Sequence, residues 1–283
     1  MSVLVIGATG GLGRLLVTEL RKAALAPAEI TAAGRNKEVL DAFAAEGLRT
    51  AHVELGDAAR IRDAVAGHEQ VVLISGKDPD RLQQHRHVVD AAAAAGVRHF
   101  YYTSGIRADD PGFALGADHK ATEDSIKDAG LRHTILRNGW YIENFIPAMR
   151  VAAQTGVLTA AVGDAPISPV GRRDLAQALA VAVTTGGHDN RTYHLTGDRD
   201  YTYHDIAAAM ADVLGTPVHY QPVSVEEYRA LLIGTGIDEA TAGFLSALDQ
   251  SIGSGVLAHA GNDLSRLIGH PTMSLAEGLR QDH

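Results

Sequence analysis

The sequence predicts an α/β protein: a Rossmann-type, doubly wound parallel sheet followed by a smaller, mainly helical C-terminal lobe. Short β-branched runs alternate with longer Ala/Leu-rich segments over about the first two hundred residues, which is typical of a parallel sheet covered by helices on both faces. A glycine-rich turn follows the first of these runs. From Tyr201 onward the alternation gives way to segments with a helical pattern, joined by turns that contain Gly and Pro.

Strands are predicted where a short apolar run is followed by glycine, polar or charged residues: 2–6, 29–33, 49–54, 70–75, 99–103 and 133–137, with a seventh at 192–196. Helices are predicted between and after them at 14–24, 38–45, 58–65, 81–95, 120–129, 174–183, 204–214 and 225–232. The strand and helix order predicts a nucleotide-binding part at 1–200 and a C-terminal lobe at 201–283. Residues 150–165 are open to assignment to either part.

Composition and charge exclude several classes of protein. The chain has 283 residues, 46% of them apolar, and no cysteine, so it can bury a large core but holds no disulfide, thiolate nucleophile or sulfur-bound metal. With 25 basic and 34 acidic residues the net charge is -9, which argues against a nucleic-acid partner. The sequence has neither a signal peptide nor an apolar run long enough to span a membrane. We therefore expect a cytoplasmic protein. Its expected oligomeric state is a monomer or a homodimer.

The glycine-rich turn has the spacing of a dinucleotide-binding loop. Residues 7–13 read GATGGLG, directly after the first predicted strand and at the start of the first helix. Gly7, Gly10 and Gly13 permit a tight turn, a close approach of the backbone to a pyrophosphate, and close packing of the helix on the sheet. The helix N-terminus adds N–H donors and a partial positive charge. The alternative is a purely structural turn.

The residue after the second strand indicates which dinucleotide binds. A site that prefers NAD usually has Asp or Glu there, on the ribose 2′-hydroxyl, whereas this chain has Arg35. A guanidinium suits a 2′-phosphate, so NADPH is the predicted cofactor; a solvated surface arginine is the alternative. Asp57 is predicted either to contact the adenine or to cap a helix. The turn of Ser75, Gly76 and Lys77 is predicted to pass the cofactor ribose.

Four further segments are informative: Tyr102-Thr-Ser104, Leu136-Arg-Asn-Gly-Trp-Tyr141, Glu143-Asn144 and Leu267-Ile-Gly-His-Pro-Thr272. In these segments the chain resembles the NmrA-like group of atypical short-chain dehydrogenases. More narrowly, it resembles the bacterial type 2 NADPH quinone oxidoreductases, and the resemblance runs almost end to end. It implies an oxidoreductase without flavin in which NADPH passes hydride directly to a bound quinone. It also implies that the C-terminal lobe binds the substrate.

The resemblance also implies which residues contact the cofactor and the quinone. It assigns Arg172 and the segment from Asn138 to Glu143 to the cofactor, and Asn144 to the quinone. The complete predicted cofactor set is Gly7, Ala8, Thr9, Gly10, Gly11, Leu12, Gly13, Arg35, Asp57, Ser75, Gly76, Lys77, Asn138, Gly139, Trp140, Tyr141, Glu143 and Arg172.

The catalytic pair of ordinary short-chain dehydrogenases is incomplete in this sequence. Those enzymes use a tyrosine four residues before a lysine as the proton donor, but here Gly116 stands four residues before Lys120. Lys120 is kept as a catalytic candidate without its tyrosine partner. A quinone tolerates this loss, because hydride transfer to it gives an aromatic hydroquinone anion that needs little help from a general acid. Candidate donors to that oxyanion are the Asn144 amide, Tyr102 and Tyr141.

Other polar and aromatic side chains have two interpretations each. His119 is either a proton source, since an unperturbed histidine titrates near neutral pH, or a packing residue. Ser104 is either a contact of the substrate or a turn residue. Trp140 and Tyr141 either stack on a quinone or pack inside the protein.

No metal site is predicted, because His85 and His87 lack the spacing of a metal pair on one helical face. Two rival functions remain open: a non-catalytic dinucleotide sensor like the NmrA regulators, and a reductase of another electron-poor acceptor such as an azo compound, an imine or an activated alkene.

Overall fold

The structure is a computed structural model that describes residues 1–113 and 115–280. Its strands are β1 (Val3–Ile6), β2 (Ile30–Gly34), β3 (Arg49–His52), β4 (Gln70–Ile74), β5 (His99–Gly105), β6 (His133–Asn138), β7 (Val157–Ala160), β8 (Arg191–Leu195) and β9 (His219–Pro222). Its α-helices are α1 (Gly11–Lys22), α2 (Lys37–Ala45), α3 (Ala58–Val65), α4 (Arg81–Ala94), α5 (Gly116–Asp128), α6 (Ile146–Thr155), α7 (Arg172–Thr184), α8 (Tyr203–Leu214), α9 (Val225–Gly234), α10 (Glu239–Gly253), α11 (Asp263–Ile268) and α12 (Leu275–Arg280).

Seven strands form one parallel sheet in the order β3-β2-β1-β4-β5-β6-β8. This confirms the predicted Rossmann-type sheet, and each predicted strand is present to within two residues. The strand order reverses between β1 and β4, and in such sheets ligands bind beyond the carboxyl ends of the strands at this switch point. The turns after β1, β2 and β4 are therefore where a dinucleotide is expected.

Helices cover both faces of the sheet, as right-handed crossovers between parallel strands require. Helix α7 packs against α1, and α3, α4 and α5 pack side by side. The core between the sheet and this second group is apolar and buried, with Leu4, Ile6, Val71, Leu73, Val88, Phe100, Tyr102 and Ile126 among its members. All four residues of β1 are buried, as expected for a central strand of a parallel sheet.

Helix α5 begins four residues earlier than predicted, at Gly116 instead of Lys120. The sequence carries no signal for this start, because the N-cap residue Leu115 makes no capping hydrogen bond with its side chain. The earlier start places His119 and Lys120 within the first turns of a helix.

The chain divides into two compact units that differ from the predicted boundary at residue 200. The first unit comprises Met1–Asn138, Arg172–Leu195 and Arg266–Gly269. The second comprises Gly139–Gly171, Thr196–Ser265 and residues 270–280. The reason lies in strand pairing, because β7 pairs in parallel with β9, and the paired residues, such as Val157 and His219, are 62 positions apart. Such a pairing leaves no mark in the local pattern of the sequence.

The second unit is mainly helical. Helices α9 and α10 pack together, and α12 packs on α8. Side chains cap the N-termini of four of its described helices: Thr202 caps α8, Ser224 caps α9, Asp238 caps α10 and Ser274 caps α12. Within residues 1–113 and 115–280, none of the helices is both long and apolar enough to cross a membrane.

Candidate functional site

The loop between β1 and α1 has the close packing that its glycines predict. Gly7 has φ +88°, in the region that favours glycine. The N–H groups of Gly7 and Ala8 both donate to the carbonyl oxygen of Ala33, at 3.0 Å. A Cβ atom on Gly13 would lie 2.2 Å from the carbonyl oxygen of Gly7. Only glycine fits at residue 13, so the first turn of α1 lies directly against the end of β1.

The start of α1 suits an anion. Helix α1 begins at Gly11, and its N-cap residue Gly10 makes no capping hydrogen bond with a side chain. The first N–H groups of a helix lack partners within the helix, and together with the helix dipole they favour a negatively charged group such as a pyrophosphate.

Two side chains border this loop. A Cβ atom on Gly34 would lie 2.4 Å from Oγ1 of Thr9, so the Thr9 side chain occupies the space over the end of β2. A Cβ atom on Gly11 would lie 3.6 Å from Cδ and Nη1 of Arg172, the first residue of α7. The structure thus brings the Arg172 side chain, 161 residues away in sequence, next to the predicted pyrophosphate loop.

Arg35 follows β2 directly, and 65% of its side chain is exposed. Its Nη1 lies 3.0 Å from Oδ2 of Asp78, a residue of the turn after β4 that the sequence did not single out. The next residue, Asn36, caps α2 by accepting a hydrogen bond from the N–H of Val39. Arg35 is thus an exposed cation beside the glycine loop, as a 2′-phosphate would require.

Asp57 is the N-cap of α3, which confirms one of its two predicted roles. Its Oδ1 accepts hydrogen bonds from the N–H groups of Ala59 and Arg60, each at 3.1 Å. A contact with the adenine stays a prediction.

The turn after β4 begins with Ser75, whose N–H donates to Oγ1 of Thr103 at 2.9 Å. A Cβ atom on Gly76 would meet nothing within 4 Å, and Lys77 is exposed. There is therefore free space beside the backbone of this turn, next to the point where the strand order of the sheet reverses.

Tyr102 does not lie where the sequence analysis expects an oxyanion donor. Its side chain is fully buried in the core, and its hydroxyl lies 2.8 Å from Nδ1 of His119 and 3.5 Å from Nδ1 of His85. Burial raises the pKa of Tyr102. The proposed contact of Tyr102 with substrate is therefore corrected, because a fully buried hydroxyl cannot reach one.

The expectation that His119 titrates near neutral pH is wrong. A Cβ atom on Gly105 would lie 3.0 Å from Cδ2 of His119, so the ring packs over the end of β5. Burial is the largest cause that lowers the pKa of His119, to about 3, and the positive charge of Arg81 lowers it further. The imidazole is neutral at pH 7 and holds no proton to give as an imidazolium.

Ser104 and Lys120 are both engaged within the first unit. Ser104 is buried and donates to Oε1 of Glu123 at 2.6 Å. Lys120 contacts both carboxylate oxygens of Asp124 at 2.6 Å. These contacts favour structural roles for Ser104 and Lys120 over the predicted catalytic ones.

Asn138 ends β6, opposite Gly105 of β5 and Leu195 of β8. Its carbonyl oxygen accepts a hydrogen bond from the N–H of Ile106 at 2.8 Å. Asn138 is buried, so only a small part of its surface is accessible to a ligand at this edge of the sheet.

The other predicted residues after β6 belong to the second unit. The carbonyl oxygen of Trp140 accepts a hydrogen bond from the N–H of Val170 at 2.8 Å, and the N–H of Ile142 donates to the carbonyl oxygen of Val170 at 3.0 Å. Trp140 and Tyr141 are half-buried, Gly139 and Glu143 are buried and Asn144 is exposed. The segment is thus fixed by its backbone, while Asn144 is open to a substrate.

Sequence reasoning missed Asp78, Glu123 and Arg137, and it considered His85 only as half of a metal pair. Each is polar, and each acquires its partner only through folding. The sequence offers one signal, for Asp78: it lies in the turn after β4, beside the point where the strand order reverses. Within the described part of the chain, no group of three or more His, Asp or Glu side chains is arranged to hold a metal ion.

The fold and this loop define a dinucleotide-binding protein of the Rossmann type. A family model described as NAD(P)H-binding matches residues 7–186. The chain therefore belongs to the NAD(P)H-binding family.

Two known proteins resemble the chain over nearly its whole length. It is 37% identical over 278 residues to quinone oxidoreductase 2 of Escherichia coli (strain K12), which covers 98% of this chain and 97% of the relative. The crystal structure of the NADPH-dependent quinone oxidoreductase from Escherichia coli with NADPH matches with a TM-score of 0.92 at 37% identity, over 99% of each chain. The structure of Citrobacter sp. triphenylmethane reductase with NADP(H) matches with a TM-score of 0.93 at 32% identity, over 100% of each chain. The resemblance to NmrA-like reductases is confirmed.

Proposed function

We propose that this protein is an NADPH-dependent quinone oxidoreductase that transfers hydride from the nicotinamide directly to a quinone, without flavin. One observation carries the proposal: the similarity to an NADPH-dependent quinone oxidoreductase extends over 99% of both chains. It therefore includes the glycine loop, Arg35 and the segment after β6.

The first unit provides the groups that NADPH needs. The loop from Gly7 to Gly13 and the start of α1 would hold the pyrophosphate. Arg35 would bind the 2′-phosphate, and no acidic residue stands at the end of β2 to favour NADH. Arg172 would add a second positive charge beside the loop. NADPH, when bound, supplies the hydride.

The reduction is balanced by one hydride and one proton. Hydride transfer brings two electrons and one hydrogen to the quinone, and the resulting hydroquinone anion takes one proton. We assign stabilisation of this oxyanion to the exposed Asn144 amide, and stacking on the quinone to Trp140 and Tyr141. Because His119 is neutral at pH 7 and Tyr102 is buried, we assign the proton to solvent in preference to these two side chains.

To test this, the purified protein is mixed with each of a panel of benzoquinones and naphthoquinones, with NADPH or NADH as the reductant. The absorbance of the reduced nicotinamide is monitored. We expect rapid oxidation of NADPH, slower oxidation of NADH and no increase in rate when flavin is added. NADPH binding without turnover of any acceptor would contradict the proposal and favour the sensor function.

A second candidate acceptor has support of its own. The similarity to triphenylmethane reductase favours a site that also reduces triphenylmethane dyes. Adding a triphenylmethane dye to the same panel compares the two, and a larger kcat/KM for the dye than for every quinone would make the dye class the better assignment. The cytoplasmic location and the monomeric or homodimeric state stay predictions, which cell fractionation and size-exclusion chromatography test.

A further inference from the structure

The ion pair between Arg35 and Asp78 joins the turns on either side of the glycine loop. Arg35 is the first residue after β2, and Asp78 is the fourth after β4. In the sheet, β2 and β4 are the two neighbours of β1, whose carboxyl end leads into Gly7. The Arg35 Nη1 to Asp78 Oδ2 distance is 3.0 Å. The two side chains therefore meet across the place where the cofactor is proposed to lie.

We propose that Asp78 sets coenzyme selectivity: its carboxylate competes with the 2′-phosphate of NADPH for Arg35, and so narrows the preference for NADPH over NADH. The inference rests on the proposed function, because it takes Arg35 as the 2′-phosphate ligand.

The competition follows from the chemistry of the guanidinium. Arginine binds a phosphate best when two of its N–H groups point to two oxygens of one group. In this structure Nη1 of Arg35 is already engaged by a carboxylate. Binding of the 2′-phosphate must either displace Asp78 or leave its negative charge close to a dianion.

The exposure of the pair limits the size of the effect. The side chain of Arg35 is 65% exposed and that of Asp78 is 32% exposed. Ion pairs in water are weak, so a phosphate can displace Asp78. We therefore expect a change of severalfold in affinity and not of orders of magnitude.

The same contact treats NADH differently. NADH carries a 2′-hydroxyl in place of the phosphate, so the ion pair can stay formed when it binds. Sites that prefer NAD use a carboxylate near the end of the second strand to accept a hydrogen bond from this hydroxyl. The sequence lacks such an acid after β2, and folding supplies one from the turn after β4.

The experiment measures binding by calorimetry, independently of turnover, with adenosine 2′,5′-bisphosphate, AMP, NADPH and NADH as ligands. The variants are D78N, R35A and the double variant. The matched control is D80N, because Asp80 lies two residues away with the same charge and its Oδ1 accepts from Nε2 of Gln84.

In D78N we expect the Kd values of NADPH and of the bisphosphate to fall about threefold to tenfold, with no fall for AMP or NADH. In D80N both values should stay within about twofold of the original, since that carboxylate is not paired with Arg35. In the R35A background the D78N change should disappear.

Three results would overturn the inference: no change in D78N, an equal change in D80N, or a D78N effect that persists without Arg35. If R35A left NADPH affinity unaltered, the phosphate assignment in the proposed function would fail as well. If NADPH bound as expected but no quinone were reduced, only the proposed reaction would fail.

Discussion

Arg137 on β6 holds Glu123 on α5 through two parallel hydrogen bonds, Nε to Oε1 at 2.9 Å and Nη2 to Oε2 at 2.8 Å. Glu123 is fully buried. Ser104 also donates to it, and Nη1 of Arg137 contacts Asp109 at 2.8 Å. The hydrogen bond to Glu123 is the largest cause that raises the pKa of Arg137. This network ties α5 to the carboxyl ends of β5 and β6.

Glu123→Gln removes the buried charge while keeping the shape. We expect the free energy of unfolding to fall by about 2–4 kcal/mol, because the buried charge of Arg137 loses the carboxylate that offsets its desolvation cost. Asp109 still faces Arg137 and offsets part of this cost. Denaturant unfolding measures the change. The control is Asp124→Asn, which breaks an exposed pair with Lys120 and should cost less than about 1 kcal/mol. Equal losses in both variants would contradict the importance of the buried pair.

Gly13→Ala should disturb the loop at the end of β1. The added Cβ would lie 2.2 Å from the Gly7 carbonyl oxygen, so α1 must shift. We expect a loss of about 1–3 kcal/mol in stability together with weaker NADPH binding. Thermal unfolding and calorimetry measure the two effects. Gly56→Ala is the control, because its Cβ would meet nothing within 4 Å, and a similar loss there would show that crowding is not the cause.

Histidines whose pKa is lowered by burial should make the fold sensitive to acid, and His85, His99 and His119 are three of them. Burial, with the charge of Arg81, lowers the pKa of His85 to about 4 and that of His119 to about 3. Between these pKa values and about pH 6.5, the histidine rings bind protons more tightly in the unfolded chain than in the folded protein. The free energy of unfolding therefore falls as the pH falls through this window. Unfolding free energy measured from pH 7 to pH 4 should show the slope.

His85→Asn keeps a polar side chain that can donate to Oγ1 of Thr122, which lies 3.0 Å from Nδ1 of His85 and itself donates to the carbonyl oxygen of Asp118, but asparagine does not titrate. The slope of stability against pH should become smaller by up to about 1.4 kcal/mol per pH unit. A variant with the original slope would remove His85 from the acid-sensitive groups.

Asp249 should act in the opposite direction. Burial raises its pKa to about 6, while the N–H of Ala161 donates to its Oδ2 at 2.8 Å. The folded state then holds the proton more tightly than the unfolded state between about pH 4 and pH 6, so stability is lost as pH rises through this window. Asp249→Asn should therefore gain about 1–3 kcal/mol at pH 8 and little at pH 4.

The comparison for Asp249 is Asp238→Asn at the N-terminus of the same helix. Hydrogen bonding to Thr241 lowers the pKa of Asp238, so that variant should lose stability above pH 4. Equal behaviour of the two variants across pH would rule out burial as the cause.

Tyr102→Phe should leave catalysis nearly intact. The hydroxyl is buried against His119, so its loss costs about 1 kcal/mol of stability and should change kcat by less than about twofold. Asn144→Ala should lower kcat about tenfold or more while NADPH affinity stays unchanged. Steady-state kinetics with one quinone measure both, and a larger loss for Tyr102→Phe would reverse the two roles.

The strands of the sheet can be predicted from the sequence because they are buried on both faces and appear as continuous apolar runs, as in Val3–Ile6. The pair of β7 and β9 is not readable in this way. Of the four residues in β9, only Tyr220 is buried, so the segment shows no apolar run.

The glycine loop could be predicted because its function depends on local spacing. The interactions around it could not, because each joins distant residues. Arg35 and Asp78 are 43 residues apart, Tyr102 and His119 are 17 apart, and Glu123 and Arg137 are 14 apart. Their pairing depends on the order of the strands and on where α5 begins.

Because the two units alternate along the chain, segments of such a protein are difficult to cut out or to exchange with those of a relative. A fragment cut at residue 200 would keep β7 but lose β9, leaving the backbone donors and acceptors of β7 without their strand partner. Exchange of the second unit between two relatives would require grafts at three separated stretches. The second unit is therefore more accessible to change by point substitution than by the fusion or swapping of gene segments.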